Sequence, residues 1–194
     1  MRRVLRLWPS VIARRSQFGI AARYADAADM LAKEKLDFVD IATTAPTHRA
    51  LSELAASHGL AVICQKPFAP TLADAKAIVE ACTKANVPLM VHENFRWQSP
   101  MQKVKAVVDA GGIGNVFWGR VSFRSAYDVF SGQPYLAENE RFIVEDLGIH
   151  ALDIARFLFG DVLNVSARIK RVNPKIRGED VATMLLDHGQ GMAS

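Results

Sequence analysis

"KLDFVDIATTAPTHRALSELAASHGLAVIC", residues 35–64, holds a strand, a helix and a second strand in that order. Its first part, 35–43, has a mostly apolar β-type core, and 60–64 is a second short apolar run. Between them, 46–59 carries apolar residues at helical spacing and ends at Gly59, a common helix stop. This order predicts a β-α-β unit with two parallel strands and a right-handed crossover.

The same pattern continues along the chain. A helix is predicted over 71–87, with Thr71 as its N-cap and Asp74 three residues later in the manner of a capping box. A further strand is predicted over 88–93. Short apolar strands that alternate with helices predict an α/β fold with a doubly wound parallel sheet, whose ligands bind beyond the carboxyl ends of the strands.

After residue 96 the pattern changes to that of an incomplete α+β domain with an antiparallel sheet. Helices are predicted over 99–114 and 146–160, and no returning strand is expected in 189–194. The strands predicted in this half are 115–125, 162–172 and 180–188. We therefore divide the chain into a first domain, 1–96, and a second domain, 97–194.

The composition excludes two classes of function. The 194 residues carry a net charge of only +4, and beyond the first 23 positions the basic residues are scattered, so nucleic acid is not expected as a partner. No apolar run approaches the roughly 20 residues that cross a bilayer, so a membrane role is not expected. Cys64 and Cys82 lack metal-ligand spacing and fit a reducing compartment, which predicts a cytoplasmic protein.

The N-terminal segment is rich in arginine, and no acidic residue precedes Asp26. Organelle-targeting segments are typically Arg-rich and acid-poor. We favour a different interpretation, the remnant of a surface helix whose partners lie upstream of residue 1, and keep a targeting segment as the alternative.

Lys66 is the first residue in which the sequence indicates chemistry. It follows the 60–64 strand at the ligand-binding edge of the predicted sheet, and Pro67 restricts the backbone there. An amine in this position can stabilise a developing alkoxide or bind a substrate hydroxyl. The alternative is an ordinary surface lysine at a strand end.

A second candidate site lies in the 146–160 helix. Asp146, His150 and Asp153 fall at i, i+4 and i+7, which places them within about 60° on one face of an α-helix. A histidine flanked by carboxylates can act as a general base. The alternatives are an N-capping Asp146 with a surface histidine, and a metal site formed by the three side chains.

Polar residues also follow the last predicted parallel strand, in "HENFRWQSP" (92–100). Asn94 and Arg96 are side chains that bind hydroxyls and anions, and a strand's carboxyl end is where a ligand binds. Trp97 and Phe95 are consistent either with a binding site or with packing between domains.

Four motifs together resemble the Gfo/Idh/MocA family of nicotinamide-dependent sugar and inositol oxidoreductases. They are "IATTAPTH" (41–48), "CQKPFA" (64–69), "ENFRW" (93–97) and "EDLGIHALDIARFLFG" (145–160). The resemblance covers about residues 17–188 and implies an NAD(P)-dependent dehydrogenase. It implies a Rossmann-type dinucleotide-binding domain followed by a substrate and oligomerisation domain, and a homo-oligomer for the intact protein. Its substrate would be a sugar, cyclitol or related polyol.

The resemblance also implies roles for single residues. Lys66 would be the catalytic lysine, in contact with both the substrate hydroxyl and the nicotinamide ribose. His150 would accept the hydroxyl proton with help from Asp146. The cofactor, NAD or NADP, would be bordered by Thr43, Ala45, His48, Gln65, Lys66 and Asn94. The substrate would contact Lys66, Arg96, Trp97, Asp146 and His150, without a metal.

The chain departs from the family pattern in three places. Gln65 stands where the family usually has Glu, and Thr44-Ala45 stands where Pro-Asn is common. No G-x-G-x-x-G occurs in the 194 residues, so we expect a chain truncated at both ends that binds NAD(P) weakly by itself. A non-catalytic polyol-binding or interaction protein of the same fold is the alternative, and a metal-dependent hydrolase or isomerase is the third hypothesis.

Overall fold

The computed structural model of the protein describes residues 22–194. The chain forms two compact units that divide between His92 and Glu93, a few residues before the boundary predicted at 96. Most of the arginine-rich N-terminal segment lies outside the described residues. Among those described, no helix has both the length and the apolar character needed to cross a membrane.

The first unit contains a three-stranded parallel sheet, as predicted. Its strands lie side by side in chain order, which is the arrangement that successive β-α-β units produce. The elements are α1 (Ala27–Lys33), β1 (Phe38–Ile41), α2 (His48–Ser57), β2 (Ala61–Cys64), α3 (Leu72–Lys84) and β3 (Leu89–Val91). A 3₁₀ turn, Ala45–Thr47, leads into α2.

Local signals in the sequence set the ends of these helices. The Thr71 hydroxyl accepts a hydrogen bond from the Asp74 N–H (3.1 Å) and donates one to the Asp74 carboxylate (2.6 Å), which confirms the predicted cap of α3. The pKa of Asp74 is lowered, mainly by its hydrogen bond from the Thr71 hydroxyl and secondly by its hydrogen bond from Arg49. After α2 the chain turns at Gly59, whose φ of +70° is readily adopted only without a Cβ atom.

The sheet and its helices enclose an apolar core that includes both cysteines as free thiols. Cys64 on β2 is fully buried, and Cys82 on α3 is 2% exposed. Burial raises the pKa of Cys64 to about 11 and also raises the pKa of Cys82. Both thiols are therefore held in their protonated form.

We expect both thiols to resist a chromogenic disulfide reagent in mildly alkaline buffer while the chain is folded. Only the thiolate reacts, and a pKa of about 11 lowers the thiolate fraction of Cys64 roughly a hundredfold relative to a free cysteine. Labelling should become complete when guanidinium chloride unfolds the chain. Rapid labelling of either cysteine without denaturant would contradict the described core.

The second unit carries an antiparallel sheet, as predicted from 162–172 and 180–188. Its strands are β4 (Asn164–Lys170), β5 (Val181–Gly189) and β6 (Met192–Ala193). The last strand corrects the expectation that 189–194 holds no returning strand. Gln190 and Gly191 both have positive φ, 52° and 79°, and so form a two-residue hairpin turn without the usual Asn-Gly signal.

The strand predicted over 115–125 does not form. This stretch meets the sheet at a single bridge between Trp118 and Ala193, where the Gly119 N–H donates to the Ala193 carbonyl (3.0 Å). A strand requires a continuous ladder of hydrogen bonds with its neighbour. The neighbour here is β6, which is only two residues long, so the alternating pattern leads to a wrong prediction.

The second unit also contains helices α4 (Ser99–Asp109) and α5 (Ile149–Phe159). The helix predicted over 146–160 is interrupted, because a π-helical turn, Val144–Gly148, precedes α5. A hydrogen bond from the Ile149 N–H to the Val144 carbonyl closes this turn. The stretch that carries Asp146 therefore has π-helical and not α-helical geometry, and the predicted alignment of Asp146 with His150 stays a prediction.

Candidate functional site

The carboxyl ends of the parallel strands in the first unit bring three chain segments together. Beyond β1 and β2, the Gln65 N–H donates to the Ile41 carbonyl (2.9 Å). Beyond β2 and β3, the His92 N–H donates to the Cys64 carbonyl (2.7 Å). Lys66 therefore begins its loop at the sheet edge, as the sequence predicts.

The residues around Lys66 hold this loop in one shape. The Gln65 side-chain oxygen accepts the Lys66 backbone N–H (2.8 Å), and its amide nitrogen lies 3.5 Å from Nδ1 of His92. Lys66 is half-buried, and its peptide bond to Pro67 is cis. The uncharged Gln65 thus positions the lysine backbone, while its predicted contact with the ribose stays a prediction.

His48 contacts the backbone of two loops in the first unit. The side chain is fully buried, with Nε2 3.1 Å from the Thr43 carbonyl and Nδ1 3.1 Å from the Phe68 carbonyl. It therefore connects the loop after β1 to the loop that carries Lys66. Its predicted contact with the dinucleotide stays a prediction.

Thr43 and Ala45 form the loop that follows β1. The Thr47 hydroxyl donates to the Thr44 carbonyl (2.9 Å), so the hydrogen bond between the Thr43 and Thr47 hydroxyls (2.6 Å) is donated by Thr43. The Thr43 oxygen keeps a free lone pair for a ligand donor. Ala45 opens the 3₁₀ turn and has only backbone groups to offer.

In the second unit, His150 is held by a carboxylate that the sequence pattern does not indicate. Its Nδ1 lies 2.7 Å from both carboxylate oxygens of Glu93. The two side chains are only 8% and 14% exposed. The Phe95 ring stacks on the imidazole at 4.1 Å with the planes 7° apart, and the Phe95 N–H donates to Glu93 Oε1 (2.9 Å).

The burial of His150 speaks against the alternative of a surface histidine. Helix α5 buries His150 together with Ile154 and Ala155. Leu147 and Leu158 line an open apolar cleft of about 410 Å³.

Asp146 and Asp153 are the two carboxylates predicted beside His150. Asp146 is half-buried in the π-helical turn. The pKa of Tyr135 is raised, first by the burial of Tyr135 and second by the negative charge of Asp146. Asp153 accepts hydrogen bonds from Nε (2.6 Å) and Nη2 of Arg96. Arg96 and Asp153 thus form an ion pair of their own, separate from the stacked rings of His150 and Phe95.

Arg96 is held in place by its own contacts. The hydrogen bonds to Asp153 raise the pKa of its guanidinium, which also lies 5.3 Å from the centre of the Phe157 ring. Asn94 and Trp97 on either side of this segment are exposed, Trp97 at 68%. Contact of these three residues with a ligand stays a prediction.

A metal site of His150 with the two aspartates is not supported. Among residues 22–194, no group of three or more His, Cys, Asp or Glu side chains is arranged to hold a metal ion. The aspartate nearest in the predicted triad, Asp153, is already paired with Arg96.

The fold and site define a two-unit α/β protein with polar loops at the carboxyl edge of a parallel sheet and a buried acid–imidazole pair in its second unit. Two domain models of one family match this chain: the NAD-binding Rossmann-fold domain of an oxidoreductase family over residues 9–93, and the GFO/IDH/MocA C-terminal domain over residues 101–194. The chain belongs to the Gfo/Idh/MocA oxidoreductase family.

Two curated relatives are similar to this chain at high sequence identity. The D-apiose dehydrogenase of Rhizobium rhizogenes is 67% identical over 178 residues, which are 92% of this chain and 52% of the relative. The D-apiose dehydrogenase of Paraburkholderia graminis is 70% identical over 177 residues, 91% of this chain and 47% of the relative. This chain therefore spans about half the length of the curated relatives it matches.

A solved structure agrees closely in fold. The crystal structure of an oxidoreductase from Agrobacterium radiobacter in complex with NAD+, L-tartaric acid and magnesium has a TM-score of 0.92 and 66% identity. The match covers 94% of this chain and 54% of that one.

Proposed function

We propose that this chain is part of an NAD-dependent sugar dehydrogenase that oxidises a hydroxyl of D-apiose or a similar sugar. The observation that carries the proposal is His150, which is buried with its Nδ1 on a carboxylate, in a chain about two-thirds identical to D-apiose dehydrogenases. The family resemblance assigns this histidine and Lys66 to the reacting hydroxyl.

The polar groups at the sheet edge are of the kinds that hold a nicotinamide dinucleotide. The Thr43 oxygen can accept from a ribose hydroxyl or a carboxamide, and Gln65 offers an amide beside Lys66. When bound, the dinucleotide supplies the hydride acceptor. NAD is the form we favour, because the related crystal structure contains NAD+.

The residues of this chain have complementary tasks in such a reaction. His150 accepts the proton of the substrate hydroxyl at Nε2, since Nδ1 faces Glu93. The Lys66 ammonium stabilises the negative charge that develops on the oxygen. Asp146, in the π-helical turn before α5, assists His150 in this proton transfer. Cytoplasmic localisation and a homo-oligomeric whole protein stay predictions.

The test compares two proteins by calorimetry with NAD+ and by NADH formation with D-apiose. One is this chain; the other, called the completed protein, carries at each end the flanking segment of the Rhizobium rhizogenes dehydrogenase. We expect the completed protein to bind NAD+ and oxidise D-apiose, and this chain to bind weakly because it lacks a G-x-G-x-x-G loop. Failure of the completed protein to bind NAD+ would favour a non-catalytic polyol-binding protein.

A further inference from the structure

The closest contact of His150 is with a residue outside its own helix. Both oxygen atoms found 2.7 Å from Nδ1 belong to Glu93, which directly follows the His92 boundary of the first unit. Asp153, on the same helix as His150, is engaged by Arg96 through two hydrogen bonds. Glu93 therefore orients the histidine through Nδ1, while Asp153 is engaged by Arg96.

The geometry of Glu93 determines which ring nitrogen carries the proton. A carboxylate only accepts hydrogen bonds, so Nδ1 must donate and the lone pair of the neutral ring lies on Nε2. Oxygen Oε1 also accepts the Phe95 N–H (2.9 Å), and the Phe95 ring stacks on the imidazole, so the carboxylate and the ring are both held in place. With both side chains at most 14% exposed, water competes little for these bonds.

We propose that Glu93 is a positioning residue for the reaction: it fixes the His150 tautomer with the proton on Nδ1 and stabilises the imidazolium that forms when Nε2 takes the substrate proton. The catalytic part of this statement rests on the proposed function. The tautomer itself is a property of the second unit that can be measured without substrate or cofactor.

The variant Glu93→Gln tests the proposal with almost no change in shape. The amide oxygen replaces Oε1 as acceptor of the Phe95 N–H, so the amide NH₂ points to Nδ1 and donates to it. The ring proton then moves to Nε2, which blocks the nitrogen that should act as base. We expect kcat of the completed protein to fall by about 10²-fold or more while KM changes little.

The matched control is Glu179→Gln. Glu179 is also buried in the second unit, where its carboxylate accepts the backbone N–H groups of Phe142 (3.2 Å) and Val144 (3.1 Å). We expect this replacement to lower the melting temperature without changing the His150 tautomer, because the lost bonds are those to the two backbone N–H groups. If a loss of stability alone lowered kcat, kcat would fall in both Glu93→Gln and Glu179→Gln.

The tautomer is read by ¹⁵N NMR on the 194-residue chain in mildly alkaline buffer, with the His150 signals assigned through His150→Asn. We expect a proton on Nδ1 in the unaltered chain and on Nε2 in Glu93→Gln. A proton on Nε2 in the unaltered chain, or an unchanged kcat in Glu93→Gln, overturns the proposal. If the completed protein does not oxidise sugars, the proposed function fails, and the tautomer result alone decides the role of Glu93.

Discussion

Replacing Lys66 by methionine should lower kcat of the completed protein roughly 10² to 10³-fold, the usual effect of removing a group that stabilises developing negative charge. Methionine keeps the length and apolar part of the side chain but removes the ammonium. The variant should keep the hydrogen bonds of the Lys66 backbone N–H and of the Phe68 carbonyl, since neither of these uses the ammonium group. Affinity for NAD+ should change less than kcat.

The control for Lys66 is Lys76→Met. Lys76 is an exposed lysine on α3 in the same unit, so its replacement removes the same charge away from the sheet edge. Stopped-flow or steady-state measurement of NADH formation gives kcat and KM for both variants. Equal activity of Lys66→Met and Lys76→Met would mean that Lys66 is an ordinary surface lysine, the alternative left open by its position.

Replacing His150 by asparagine should lower kcat by about 10² to 10⁴-fold, the range typical of a lost general base. Asparagine keeps a polar group near Glu93 but has no nitrogen that can accept a proton at neutral pH. A base supplied in the buffer, such as free imidazole, should restore part of the rate if the space of the ring becomes accessible.

His188→Asn is the comparison for this variant. His188 lies on β5 in the same unit, where its ring nitrogens contact the Gly160 carbonyl (3.0 Å) and the Ser194 hydroxyl (2.8 Å). We expect a small loss of stability and little change in kcat. Should His150→Asn and His188→Asn retain similar activity, His150 would not be the base, and the proposed mechanism would be wrong.

The parallel sheet and the position of Lys66 could be predicted because their signals are local. Apolar runs, the Thr71 cap and the Gly59 stop are read within one turn or one strand, and the structure confirms them. A residue that directly follows a buried parallel strand must lie at the carboxyl edge of the sheet. No distant contact has to be known for that inference.

The helix with Asp146 and His150 shows what a periodic pattern cannot distinguish. The sequence predicts an α-helix from residue 146, but the turn Val144–Gly148 is π-helical, and no local signal in the sequence separates the two forms. The strand predicted over 115–125 fails for a related reason. Alternation describes a strand only when a partner of sufficient length lies beside it.

Two residues acquire their roles only through contacts far apart in the sequence. Glu93 reaches a histidine 57 positions later, and His48 joins backbone carbonyls of two separate loops. Glu93 is visible in the sequence as the acid of "ENFRW" (93–97). However, no pattern in the neighbouring residues distinguishes a carboxylate that orients a histidine from one that is exposed to solvent.

By itself, the sequence determined the family, the parallel and antiparallel sheets and the candidates Lys66 and His150, because these depend on short-range patterns and motif order. The tertiary structure alone decided that His150 is buried, that Glu93 holds its Nδ1 and that His48 joins two loops. These features depend on which side chains meet when distant segments pack, and a hydrogen bond between distant segments leaves no periodic trace in the sequence.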